Sequence, residues 1–227
     1  MNLLAIDTAT RSCSVAVTNK GSLSAELTIV RSQTHSKHLM ELIHSVLEIA
    51  GFHVADLDGL AVTMGPGSFT GLRIGISTIK GLAYALARPV VGISTLEALA
   101  WQCGQTSYLI CPLLDARKGE VYGATYGFNE GRLIQMTGPR AMVPEDVVEH
   151  IKSPCVFIGN GARLYRRDIV ASIGGLAHFV PEGQNMIRAS SVAFLSMPRF
   201  EANDTDAVAG LVPHYIRKSD AELNFGP

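Results

Sequence analysis

Charge is scarce in this sequence, and aromatics are scarcer still. Of 227 residues, 17% are Asp, Glu, Lys or Arg and 7% are Phe, Tyr or Trp, with a single Trp. No five like charges adjoin and the formal net charge is −1, so the electrostatic footprint of a protein that grips nucleic acid unaided is missing. The four cysteines, Cys13, Cys103, Cys111 and Cys155, make no Cys-x-x-Cys pair. They suggest neither a zinc knuckle nor a dithiol motif and suit a reducing cytosol. No apolar run approaches the roughly twenty residues that span a bilayer. The amino terminus reaches Asp7 without a basic region, unlike a secretory signal. These absences lead to the expectation of a cytoplasmic protein with no membrane attachment.

What is abundant is apolar and small. With 47% hydrophobic residues and 22 glycines, the chain can bury one sizeable core or two modest ones. It is organised around one stretch, Gly65-Pro66-Gly67-Ser68-Phe69-Thr70-Gly71-Leu72-Arg73-Ile74-Gly75. There the apolar strand 60–64 stops at Gly-Pro-Gly and a long helix runs on to Ala87, closed by Arg88-Pro89. Along that helix Arg73, Ser77, Lys80 and Tyr84 make a polar stripe, and Gly71, Gly75, Thr78, Leu82 and Ala85 make a second stripe of mostly small residues. A helix this apolar needs cover on more than one side, from its own chain or from a partner. A glycine-rich loop before a helix can also cradle phosphate, but no Gly-Lys-Ser/Thr follows, and a structural turn is the stronger reading.

In chain order, strands are expected at 3–6, 13–18 and 23–29, with Asn19-Lys20-Gly21 as a turn. A helix follows from Gln33 to Ala50, with Leu39, Leu42, Ile43 and Val46 on its apolar face and Gly51 as its stop. After the strand at 60–64 and the long helix come a strand at 90–93 and a helix at 95–102. A second half restarts with strands at 108–114, 120–126 and 132–136, then a helix at 144–151, a strand at 155–158 and a helix at 162–173. A last helix is expected at 190–200, then a docked extended segment at 212–217 and a mobile end from Ser219. Each half opens with three meandering strands, the first ending in Asp7 or Asp115, and continues helix, strand, helix. The fold class is therefore α/β, two related halves each with a mixed sheet flanked by helices. The halves are taken as 1–104 and 105–227, the final helix and tail packing back on the first half.

Several stretches together carry a family resemblance. Ala5-Ile6-Asp7-Thr8-Ala9-Thr10, the Gly65–Gly75 loop, Gly92-Ile93-Ser94-Thr95-Leu96-Glu97-Ala98-Leu99-Ala100, Asp115-Ala116-Arg117, Gly159-Asn160-Gly161-Ala162 and Pro213-His214-Tyr215-Ile216-Arg217 resemble, in order and over nearly the whole chain, the bacterial TsaB (YeaZ) proteins. The resemblance implies an actin-like ATPase-domain (ASKHA, ribonuclease H-like) fold. It also implies a part in making threonylcarbamoyladenosine at position 37 of tRNAs reading ANN codons, as a scaffold for the catalytic subunit TsaD, with the ATPase TsaE joining. A homodimer is expected for the isolated chain, and tRNA is reached only through the complex. No cofactor is expected to bind tightly to the chain alone, ATP or ADP belonging at most to the joint interface.

Against TsaD-type proteins, Thr95 and Leu99 stand where a metal-binding His-x-x-x-His is expected, and neither can supply an imidazole nitrogen. The first phosphate loop of actin-like ATPases prefers Asp-x-Gly-x-Thr, and here it reads Asp7-Thr8-Ala9-Thr10. Asp7, Thr8, Thr10 and Ser12 are thus the candidate residues of a degenerate phosphate loop, with a Cβ at Ala9 where phosphate should approach. The candidate partner surface is Leu39, Leu42, Ile43 and Val46 on one helix with Gly71, Gly75, Thr78 and Leu82 on the next, unless both helices simply cover the sheet. His35 and His38 lie three apart without a third ligand, and no Gly-x-Ser-x-Gly elbow occurs. Arg73, Arg117 and Lys118 are the cations best placed for phosphate or tRNA backbone. The rival function is an independent enzyme of actin-like fold, an ATPase or a glycoprotease-like peptidase.

Overall fold

The computed structural model describes residues 1–30 and 35–217. In chain order the elements are β1 (Asn2–Asp7), β2 (Ser12–Asn19), β3 (Ser22–Val30), α1 (Leu39–Ala50), β4 (Gly59–Gly65), α2 (Phe69–Leu86), β5 (Val90–Ser94) and α3 (Thr95–Gln102). They continue with β6 (Leu109–Arg117), β7 (Glu120–Gly123), β8 (Tyr126–Asn129), β9 (Arg132–Gln135), β10 (Arg140–Met142) and α4 (Pro144–Glu149). The last are β11 (Cys155–Ile158), α5 (Asn160–Leu164), α6 (Arg166–Ile173), β12 (Ala177–Phe179) and α7 (Ala189–Glu201). None of the described helices is long and apolar enough to cross a membrane. The helix start expected at Gln33 and the chain from Ser219 lie outside the described residues.

Two compact units result, one of Met1–Ala98 with Ile187–His214, the other of Leu99–Met186 with the described residues 215–217. The division falls within α3, earlier than position 104, because Leu99 already packs against Gly159 of the second unit. In the first unit the sheet order is β3-β2-β1-β4-β5, with the three opening strands antiparallel and β1-β4-β5 parallel. Side chains alternate across a strand. Leu4 and Ile6 of β1 join Val15, Val17, Leu60 and Val62 in a core with α1 and α2, while Leu3, Ala5, Ala16 and Ala61 turn to the opposite face, where α7 packs. The alanines let α7 come close.

The second unit repeats this topology with an insertion. Its order is β10-β7-β6-β11-β12, with β6-β11-β12 parallel and β7 antiparallel to its neighbours. The third-strand position is held by β10, not by the segment at 132–136 expected there. That segment forms β9, the mate of β8 in a hairpin tied to β6 by the Ile110–Tyr126 pair. The helix expected over 162–173 breaks at Tyr165, whose φ of −101° and ψ of 18° leave the helical range. The three-residue β12 carries too little pattern to be legible. Its core gathers Cys111, Leu113, Val148, Phe157 and Ile169.

The second pass of the chain through the first unit is anchored by carboxylates. Glu26 of β3 accepts hydrogen bonds from the Ser190 amide (2.9 Å) and hydroxyl (2.8 Å) and from Arg188 Nε (2.8 Å), satisfying amide groups that the start of α7 cannot pair within itself. Asp206 does the same for the edge of β5. Its carboxylate accepts from the Gly92 amide (2.7 Å), while Arg199, paired with Asp206, donates to the Gly92 carbonyl (3.1 Å). An edge strand so covered offers no free row for another chain. His214 then donates its amide to the Met64 carbonyl (2.7 Å). Glu26 is 6% exposed, so Glu26→Ala should strip several partners at once. We expect it to destabilise the protein by about 2 kcal/mol, read as a lower urea midpoint with unchanged slope.

Candidate interaction surface

The Gly65–Gly75 loop folds as it does because the β1–β2 turn sits inside it. Ser68 caps α2, its hydroxyl accepting from the Gly71 amide (3.3 Å), and its own amide donates to the Ala9 carbonyl (2.7 Å). Thr8, fully buried, donates its hydroxyl to the Gly71 carbonyl (2.8 Å). A methyl at Gly71 would strike the Thr8 carbonyl, and one at Gly75 would strike the Thr8 hydroxyl. The small-residue stripe therefore seats Thr8 of the same chain, which corrects the reading of Gly71 and Gly75 as a partner surface.

Most of the other polar groups of the turn are likewise engaged. Asp7 is wholly buried; its Oδ1 accepts from the Thr63 hydroxyl (2.7 Å) and the Ala9 amide (3.2 Å), and its Oδ2 has no partner. Burial pushes its carboxyl up to about 7, against the pull of those two bonds. Burial, with Asp7 nearby, also holds the Cys13 thiol up at about 12. Thr10 and Ser12 share a hydroxyl bond (2.8 Å), and the Thr10 carbonyl accepts from His35 Nε2 (2.7 Å), which fixes the proton on that nitrogen. His38 turns instead toward Glu41 (3.4 Å), so the two histidines do not converge. The four candidate phosphate-loop residues come together, yet not as an open cradle. The carbonyls of Ala9 and Thr10 point at Ser68 and His35, and a side chain at Gly67 would collide with Ala9.

Leu39, Leu42, Ile43 and Val46 are buried core residues of the first unit; the sheet claims most of the apolar face of α1, and Leu39 alone of the four also borders the groove beside α2. Leu82 is half-buried against the same core. Lys80, read as part of an outward polar stripe, donates to the carbonyls of Ala209 (3.0 Å) and Leu211 (3.2 Å) and so fastens the chain's own final segment to α2. What remains open is a groove of about 470 Å³ between α1 and α2. Its walls include Met40, Phe69, Arg73, Ile74, Ser77 and Thr78. Met40 is 54% exposed, and the Arg73 guanidinium lies 3.7 Å over the Phe69 ring. Of the expected set, Leu39 and Thr78 line it. Helical period alone assigns Met40 and Ile74 no role, but an arginine four residues after Phe69 on a helix is a readable pair.

In the second unit Asp115 is a turn acid. Its Oδ1 accepts the Arg117 amide (2.8 Å), its amide donates to Asn160 Oδ1 (3.1 Å), and Arg117 lies 3.6 Å from its second oxygen. Glu120 pairs with Arg217 (2.9 Å). Thr95 and Leu99 are fully buried, and among the described residues no three His, Cys, Asp or Glu side chains gather as a metal site.

With this geometry in place, similarity to known proteins becomes informative. Residues 29–225 match the family model described as TsaD, tRNA N6-adenosine threonylcarbamoyltransferase. The chain is 34% identical to the tRNA threonylcarbamoyladenosine biosynthesis protein TsaB of Bacillus subtilis over 99% of its own length and 98% of that protein's. It superposes on YeaZ from Pseudomonas aeruginosa with a TM-score of 0.81 and 28% identity, covering 94% of this chain and 99% of that one. The activator of the 2-hydroxyisocaproyl-CoA dehydratase from Clostridium difficile, solved with ADPNP, matches at TM-score 0.53 and 12% identity over 90% and 97% of the two chains. That last likeness concerns the fold alone, which is actin-like. In the β1–β2 turn of this chain the Ala9 and Thr10 carbonyls are taken by the Ser68 amide and His35, and Gly67 lies close against Ala9.

The Gly65–Gly75 loop is thus a packing device, and its fit can be tested. Gly75→Ala should cost about 2 kcal/mol through overpacking, and Thr8→Ala should relieve part of that in the double variant, giving a coupling of about 1 kcal/mol in a denaturation cycle. Loop, two-unit fold and full-length relatives agree, and the chain belongs to the TsaB (YeaZ) family of tRNA threonylcarbamoyladenosine biosynthesis proteins.

Proposed function

We propose that this chain works in tRNA threonylcarbamoyladenosine biosynthesis as a non-catalytic subunit that holds a TsaD-type catalytic partner through the groove between α1 and α2. The observation that carries this reading is the groove's make-up: an exposed Met40 and the side of Ile74 beside the small, open positions Ser77 and Thr78, with Arg73 poised over Phe69. Apolar anchors beside small residues let a facing helix approach closely, and Met and Arg are enriched where proteins meet. The turn that would hold phosphate in an independent ATPase is filled by its own chain, which favours a supporting role over turnover. In this reading TsaE joins the pair, tRNA is met through the assembly in the cytoplasm, and any nucleotide is held with residues of the partner. Without that partner, the same groove pairs two copies of this chain across a two-fold axis.

Ser77→Arg and Met40→Glu place charge in the groove without touching the core. Each should weaken capture of a purified TsaD-type partner by at least about tenfold and shift the isolated protein toward monomer in sedimentation, with the unfolding midpoint unchanged. Undiminished capture by both variants would remove the groove from the interface. ATP turnover by the isolated chain would favour the independent-enzyme reading.

A further inference from the structure

The groove's wall begins at Phe69, one residue after the cap that binds the β1–β2 turn, and that turn is hung on Asp7. The carboxyl sits at the end of β1 with no exposed surface, and of its two oxygens one accepts two hydrogen bonds and the other none. An ionised carboxylate needs several donors or water; a neutral acid needs far fewer.

Beyond the Thr63 hydroxyl and the Ala9 amide, the described surroundings offer little that would stabilise the charge. From β2, Cys13 presents a thiol that stays protonated, and Ser14, opposite Asp7 in the register, accepts the Ala189 amide (2.9 Å). From β4 comes the Thr63 hydroxyl, and from α2 only Gly71 and Gly75, which meet Thr8. From α7, packed on the face that Ser14 shares, comes Arg188, already paired with Glu26. His35 reaches the Thr10 carbonyl, and no cation is among the causes that set the Asp7 carboxyl. Dryness therefore favours the neutral form and raises the carboxyl well above its ordinary range, to about 7.

We propose that Asp7 is a proton-operated latch: as a neutral acid it locks the β1–β2 turn into the start of α2, and loss of its proton releases that start. The linkage is short. Admitting water to an ionised Asp7 moves the turn, and the turn holds α2 through the Ala9 carbonyl to the Ser68 amide and the Thr8 hydroxyl to the Gly71 carbonyl. This inference concerns the chain alone and stands whether or not the groove binds a partner.

The sign follows from proton linkage. A carboxyl that titrates higher in the closed form than in the open form makes closing progressively weaker as pH rises from about 4 to about 7, and no weaker beyond. One proton allows at most about a tenfold change per pH unit. Amide exchange of residues 8–12 and 67–75 in the intact protein, corrected for the intrinsic pH dependence, should speed up by well over tenfold between pH 5 and pH 7. In Asp7→Asn, which cannot ionise, the same amides should show a flat profile. Equal profiles in the two proteins would overturn the latch. Should Asp7→Asn fail to fold, the wild-type protein labelled with 13C at aspartate carboxyls decides: a buried carboxyl carbon titrating above pH 6 supports the inference, and one fully titrated below pH 5 overturns it.

Discussion

One residue-sized fit underlies the first unit: the seating of Thr8 against Gly71 and Gly75. It joins the end of the central strand β1 to the start of α2, and it accounts for three sequence features at once. The two glycines are small because a threonine occupies the space beside them. The serine before them is both a helix cap and the donor that holds the turn. The aspartate before Thr8 is buried because the turn closes over it. In a packed interior such dependencies are stiff, since neighbours give by tenths of an ångström rather than by whole ones.

The same fit explains why the outward surface lies where it does. With its small face committed to the turn and Lys80 committed to the final segment, α2 leaves a strip from Phe69 to Thr78 open beside α1. The carboxylates Glu26 and Asp206 act similarly at the sheet margins, each giving partners to backbone groups that the strands and helices leave unpaired. Both acids cover backbone groups at the margins of the sheet. Free surface is what the internal bonds leave over.

Much of the architecture was legible in the sequence, and the misses have physical causes. Period-two strands and period-3.6 helices placed the opening meander, the end of α1, α2 and β11 to within a few residues, because half-buried elements must show one face. The repeat of two sheets was readable for the same reason. The hairpin of β8 and β9 was not, since pairing partners lie far apart in sequence and a four-residue exposed strand shows no face. Leu39, Leu42, Ile43 and Val46 looked available because hydrophobicity says that a side chain needs cover without saying which molecule supplies it. Gly71 and Gly75 failed as interface residues on the same ground: smallness marks a close approach, and the approaching atoms proved to be Thr8.

The late arrival of α7 has a consequence for how the protein is made. The alanine-lined face of the first sheet is built from residues within the first hundred, whereas its cover is a helix near position 190. On the ribosome, where chain emerges at about 5–20 residues per second, that face waits several seconds for its lid, while the second unit can close around its own centre in the meantime. The half that is translated first thus becomes watertight only after most of the chain has emerged, and its bare sheet is the part a chaperone would have reason to hold.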